Sequence, residues 1–112
     1  MPIKLDQVKS DSKKLAALIK FMQGEHNDEN IMFVCDKGNP EALYAKYIKK
    51  GTAKEVNLPA AVANPLHALA SVKNWKGMEP GIKVAKDNIV KLINSDIMPR
   101  FEKSPAWKAF GG

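Results

Sequence analysis

Ser12-Lys13-Lys14-Leu15-Ala16-Ala17-Leu18-Ile19-Lys20-Phe21-Met22-Gln23-Gly24 decides the fold class of this chain. Leu15, Leu18, Ile19 and Met22 recur at spacings of three and four, which puts one apolar stripe on one side of a helix. Ser12 is placed to cap it, and Gly24 to end it in a left-handed turn. The same grammar repeats on both sides of this stretch. Asn27 is expected to cap a second helix, with Asp28 and Glu29 in its first turn, where the helix dipole favours negative charge. Ile31, Phe33, Val34 and Cys35 supply its apolar residues, with Cys35 expected as a small buried hydrophobe.

Asn39-Pro40 reads as a cap followed by proline at the first helical position. Leu43, Tyr44, Tyr47 and Ile48 form the next stripe, which Gly51 closes. Thr52 to Leu58 lacks helical periodicity and reads as a loop. Pro59 is expected to open a short helix through Ala63. Asn64-Pro65 then repeats the cap-and-proline signal ahead of Leu66, Leu69 and Val72. Lys76-Gly77 and Pro80-Gly81 bracket an expected turn. A long helix then carries Ile82, Ala85, Ile89, Leu92 and Ile93, and should stop between Asn94 and Met98 because of Pro99. Ser104-Pro105 opens a last short helix with Trp107 and Phe110, and Gly111-Gly112 reads as a frayed end. Alternating strand patterns are not indicated. The expectation is an all-α, multi-helix bundle of about seven to nine helices, with boundaries good to about two to four residues.

The chain has 112 residues, 45% hydrophobic and 27% charged, which fits one soluble domain over 1-112. Cys35 is the only cysteine, so no internal disulfide forms. The cysteine usage, and a sequence with no leader-like or spanning apolar run, read as cytoplasmic. The net charge of +6 favours acidic partners, and peripheral attraction to an anionic membrane is one outcome of it. Arg100 is the single arginine. Groove readers and phosphate clamps lean on arginine, so nucleic acid is not the expected partner.

Enzymatic constellations are sparse. His26 and His67 stand in no metal-ligand spacing, and Gly77-Met78-Glu79-Pro80-Gly81 lacks the lysine of a phosphate loop. No cofactor, metal or catalytic group is expected. What stands out instead is three polar clusters at helix ends: Asn27-Asp28-Glu29-Asn30, Lys54-Glu55-Val56-Asn57-Leu58, and Asp96 with Pro99-Arg100-Phe101. Singly they read as caps, a turn and a surface ion pair. Together they suggest one surface gathered from several loops.

These stretches carry a family likeness. Lys14 to Met22 followed by Asn27 to Phe33 resembles the start of a regulator of G-protein signalling (RGS) domain. Lys54-Glu55-Val56-Asn57-Leu58 resembles that family's central loop, and Ile89 to Ser104 resembles its last long helix and the turn after it. The likeness runs in order from about Leu5 to Phe110. Val34 stands where the family usually has tryptophan, the stretch from Cys35 to Leu43 is shorter, and Pro59 replaces a usual acidic residue.

The resemblance implies a shortened helical bundle of the RGS type. It implies binding to the GTP-loaded α subunit of a heterotrimeric G protein and faster GTP hydrolysis there. Such α subunits carry their catalytic arginine in cis, so the domain supplies no arginine finger and acts by holding the switch segments. By similarity, Asn57 takes the central contact position, with Leu58 beside it. Glu29 and Asn30 match the contact at the helix start. Leu92, Asp96 and Arg100 match the face that meets the first switch, with Arg100 orienting Asp96. Two alternatives stand beside this reading. One is a protein-binding module or host-directed effector of the same fold without GTPase-activating activity. The other is a basic helical domain that binds nucleic acid or membrane.

Overall fold

The computed structural model describes residues 3–110 and is helical, with no strand among them. The segments are α1 (Leu5–Lys9), α2 (Ser12–Gly24), α3 (Glu29–Cys35), α4 (Pro40–Leu43), α5 (Ala60–Ser71), α6 (Trp75–Leu92), α7 (Met98–Glu102) and α8 (Pro105–Lys108). Two π-helical segments extend them. Tyr44–Ile48 continues α4, and Ile93–Ile97 joins α6 to α7. The joined rod from Trp75 to Glu102 is the spine. At 1.5 Å per residue it runs roughly 40 Å, most of the 50 Å long axis of a molecule about 23 and 22 Å across. α3, α4 and α5 lie against α6, while α1, α3 and α8 gather around α2.

The apolar stripes read from the sequence face inward. Leu18, Met22, Ile31, Phe33, Leu43, Tyr47, Ile48, Leu66, Ile82, Ala85, Ile89 and Ile93 are buried. Leu15 and Ile19 are partly buried against them. Seven core residues lie outside those stripes: Leu5 and Val8 of α1, Val56 of the central loop, Met78 in the first turn of α6, and Ile97, Met98 and Phe101 towards the end of the spine. α1 is tied down by the Leu5 N–H, which donates to Asn94 Oδ1 at 2.8 Å. Cys35 departs from its expected burial and is half-exposed. Val72 is 71% exposed, because α5 ends beside it and turns it outward.

Several helix ends differ from their reading, each for a local reason. Asp11, not Ser12, caps α2, its carboxylate accepting from the N–H groups of Lys13 and Lys14 at 2.9 and 3.3 Å. Gly24 stays helical. His26 takes the left-handed position instead, with φ 61°. Its N–H bonds the Gln23 carbonyl at 3.1 Å and the Asn27 N–H bonds that of Met22 at 3.0 Å, the paired closure of a Schellman end. Asn27 is thereby committed to ending α2, so it does not cap α3. Its amide donates to Glu25 instead, at 3.2 Å. α5 ends the same way, with Lys73 at φ 57° and the Asn74 N–H on the Leu69 carbonyl at 2.9 Å. The caps at Asn39 and Ser104 are as expected, each accepting from the backbone three residues on.

The larger corrections concern proline. Pro65 does not restart a helix, and the Pro80-Gly81 pair is not a turn. Both prolines sit inside continuous helices, α5 and α6. An internal proline costs about 3 kcal/mol in local terms, so packing must offset it. The close approach of α5 to α6 does so: a Cβ placed on Gly81 would stand 2.6 Å from Leu66 Cδ2. Gly81 is therefore a seat for Leu66 rather than a breaker. Asn74 caps α6, accepting from the Gly77 N–H at 3.0 Å. Pro99 does not stop the spine either. The π segment before it passes the Met98 N–H to the Ile93 carbonyl, and Pro99 then falls in the first turn of α7. A first-turn residue needs no partner for the N–H that proline lacks. Gly111-Gly112 lies outside the described residues.

Candidate functional site

Two ion pairs tie the α2–α3 corner to the other segments that carry polar clusters, the central loop and the end of the spine. Asp28, the residue before α3, receives Lys54 Nζ from the central loop at 3.1 Å. Glu25, at the end of α2, receives Arg100 from α7. The contact is bidentate, Nε to Oε2 at 3.0 Å and Nη2 to Oε1 at 2.8 Å. Arg100 also donates through Nη1 to the Asp96 carboxylate at 2.8 Å and to the Asp96 carbonyl at 2.9 Å. The α2–α3 corner is thus the hub, holding the central loop on one hand and the end of the spine on the other.

The electrostatics reflect the pairing. The Arg100 hydrogen bond holds the Glu25 carboxyl below the usual carboxylate range, and burial opposes that only partly. Arg100 is pushed further up its already basic range, first by Glu25 and then by Asp96. Asp96 is 59% exposed and Arg100 45%, so these pairs position side chains more than they stabilise the fold. One guanidinium carries both carboxylates in a fork geometry that lysine could not copy.

Asn30 is buried, and its Oδ1 has no hydrogen-bond partner among the described residues. Asn27 Oδ1 and Thr52 Oγ1 share that condition. All three belong to the segments that the Asp28–Lys54 pair joins.

Of the other expected residues, Glu29 begins α3 and is half-exposed. Leu92 is the last residue of α6, half-buried, one turn before Asp96 on the spine. Asn57 is exposed, and Leu58 packs partly on the core. The central loop is anchored from within by the Val56 N–H, which donates to the Tyr47 carbonyl at 2.8 Å, and by buried Val56. Asn57 and Leu58 line a groove of about 380 Å³ against Ala60, Asn64 and His67 of α5. Asn57 therefore flanks the ion-pair network and is not hydrogen-bonded into it. Glu25 is the site residue that sequence reasoning missed. Its partner lies 75 residues away, and a lone glutamate at a helix end gives no local signal of such a pair.

No group of His, Cys, Asp and Glu suited to a metal occurs among the described residues. No helix there is long and apolar enough to cross a membrane. No known family's sequence model matches the chain, and no curated protein matches it.

Proposed function

We propose that this chain is a GTPase-activating module of the RGS type, which binds the GTP-loaded α subunit of a heterotrimeric G protein and holds its switch segments in the transition-state shape. The observation that carries the reading of three sequence-distant polar clusters as one face is their joining by Asp28–Lys54 and Glu25–Arg100–Asp96. Asp96, exposed and steadied by Arg100, accepts from backbone N–H groups of the first switch. Glu29 contacts the same partner from the start of α3, with buried Asn30 behind it rather than at the surface, and Leu92 supplies apolar area beside Asp96. Asn57, with a free amide at the edge of the face, restrains the partner glutamine that orients the attacking water. Acceleration arises because the face fits the transition-state geometry better than the ground state. The net charge of +6 adds attraction to an anionic membrane surface, where it would hold the module near its target.

A second reading, a binding module of the same fold without activation, draws support from one feature. Pro59 caps α5 directly after Leu58 and draws the central loop towards α5, where Asn57 borders a groove of its own. Single-turnover GTP hydrolysis by purified α subunits, with and without the chain, separates the two. The expected result is acceleration that Asn57→Ala reduces by one to two orders of magnitude, in line with removal of one transition-state contact. Binding to the transition-state-mimic form without acceleration would favour the second reading. Absence of binding to any nucleotide state would overturn both.

A further inference from the structure

A second cavity of about 390 Å³, which shares His67 with the Asn57 groove, opens between α5, the end of α4 and the start of α6. Three of its walls are aromatic. Tyr44 and Trp75 lie 5.9 Å apart between ring centroids at 47°, and Tyr44 meets His67 edge-on at 5.6 Å. The Tyr44 hydroxyl is hydrogen-bonded to His67 Nδ1 at 2.7 Å, which fixes both rings in place. The cavity also holds one carboxylate and one ammonium, from Glu41 and Lys49. Neither makes an ion pair or side-chain hydrogen bond among the described residues. Glu41 lies in α4 and Lys49 just past the π segment, and both line the cavity with Tyr44.

We infer that this cavity binds a choline-phosphate type zwitterion, its quaternary ammonium against the Tyr44 and Trp75 rings beside Glu41 and its phosphate on Lys49. The walls dictate this chemistry. Aromatic faces attract a cation through their quadrupoles, and they do so best for a large, weakly hydrated ammonium that sheds water cheaply. A primary ammonium, which needs hydrogen-bond acceptors on all sides, finds one carboxylate and the hydroxyls of Tyr44 and Ser71, while much of the wall is ring. An anion of the ligand placed towards Lys49 pairs with the charge that would otherwise oppose a cation in the same cavity.

The test is a nuclear magnetic resonance titration of the intact chain with phosphocholine, watching the indole N–H of Trp75. Trp107 packs in the core against Phe101 and serves as the internal control. Phosphocholine is expected to shift Trp75 and not Trp107, with a dissociation constant on the order of 1 mM. Choline chloride and inorganic phosphate should each bind more weakly. Trp75→Ala should weaken binding about tenfold and Glu41→Gln several-fold. Tyr44→Phe keeps the ring but loses its bond to His67, and should weaken binding less than Trp75→Ala does. Glu41 is exposed, so its variant folds and keeps the test sharp even where an aromatic variant does not. Co-sedimentation with phosphatidylcholine vesicles would support a lipid as the source of the headgroup, and binding confined to free phosphocholine a soluble one. Phosphoethanolamine binding as tightly as phosphocholine, an unmoved Trp75, or a Glu41→Gln variant with unchanged affinity would each overturn the assignment.

Discussion

The two π-helical segments have the same length and the same distortion, yet they do opposite things with it. Tyr44–Ile48 turns its polar atom inward: buried Tyr47 donates to Asp36 Oδ2 at 2.9 Å and stacks on Phe33 at 5.2 Å. Ile93–Ile97 turns its polar atom outward, leaving the Asp96 carboxylate exposed beside Arg100. Both bury apolar residues on the other side, Ile48 in the first and Ile93 and Ile97 in the second. A π turn inserts a residue into the α ladder and rotates the next face, and such bulges recur at functional sites. The chain's path after each segment explains the difference. After the first, Lys49 is extended and the chain folds back to hydrogen-bond Tyr47, closing the corner. After the second, α7 continues the rod and keeps the turn at the surface. One segment locks the core, and the other displays a side chain.

The largest break of this contrast is Tyr47→Ala. It removes a fully buried ring and takes one of the hydrogen bonds from the Asp36 carboxylate, which keeps the Gly38 N–H at 2.9 Å. The expected cost is about 3–5 kcal/mol in urea unfolding, enough to unfold a marginal domain of this size. The cation stacked on the same ring, Lys46 Nζ at 5.4 Å, loses its seat as well.

A milder probe uses pH. Burial, with the Asp36 hydrogen bond second, pushes the Tyr47 phenol up from 10.0 to about 12. A pKa raised in the folded state gives stability that is intact below the ordinary value and is lost as pH climbs towards the raised one. Between pH 10 and 12 the chain should therefore lose on the order of 2–3 kcal/mol from this group. Tyr47→Phe, which itself costs about 1 kcal/mol at neutral pH, should flatten that alkaline limb. A limb unchanged in the variant would assign the loss to another group. On the acid side the sign reverses. The Gly38 N–H and the Tyr47 hydroxyl hold the Asp36 carboxyl below its usual range, so its contribution is present at neutral pH and fades on acidification.

How much of this was legible in the sequence depends on the range of the interaction. The stripe of α2, the caps at Asn39 and Ser104, and the loop from Thr52 to Leu58 rest on neighbours within one or two turns, and the sequence displays them. Pro65, Pro80 and Pro99 misled because a proline's local cost is visible while its compensation is not. That compensation is Leu66 seated on Gly81 in one place and a π turn in another. The site divides the same way. Arg100 with Asp96 is a pair at i and i+4 and could be read directly. Glu25, which ties that pair to the α2–α3 corner, could not. Lys54 and Asp28 stand in the clusters that the sequence displays, but their pairing, and Glu25 altogether, were visible only in space.

The smallest expected effect on stability is at the displayed end of the comparison. Asp96→Asn removes one carboxylate from a guanidinium that keeps Glu25, and both members of the lost pair are largely in solvent. The melting temperature should fall by no more than corresponds to about 0.5 kcal/mol. Arg100→Ala should cost somewhat more, near ~1 kcal/mol, because it frees the α2–α3 corner as well. Binding is where the two segments should part company. If the outward π turn exists to present Asp96, Asp96→Asn weakens capture of the transition-state form of the α subunit at least tenfold while the fold is untouched. Tyr47→Phe should show the reverse pattern, with stability reduced and affinity retained at a temperature where both proteins are folded. Equal loss of affinity in both variants would mean that the second segment, like the first, serves only the core.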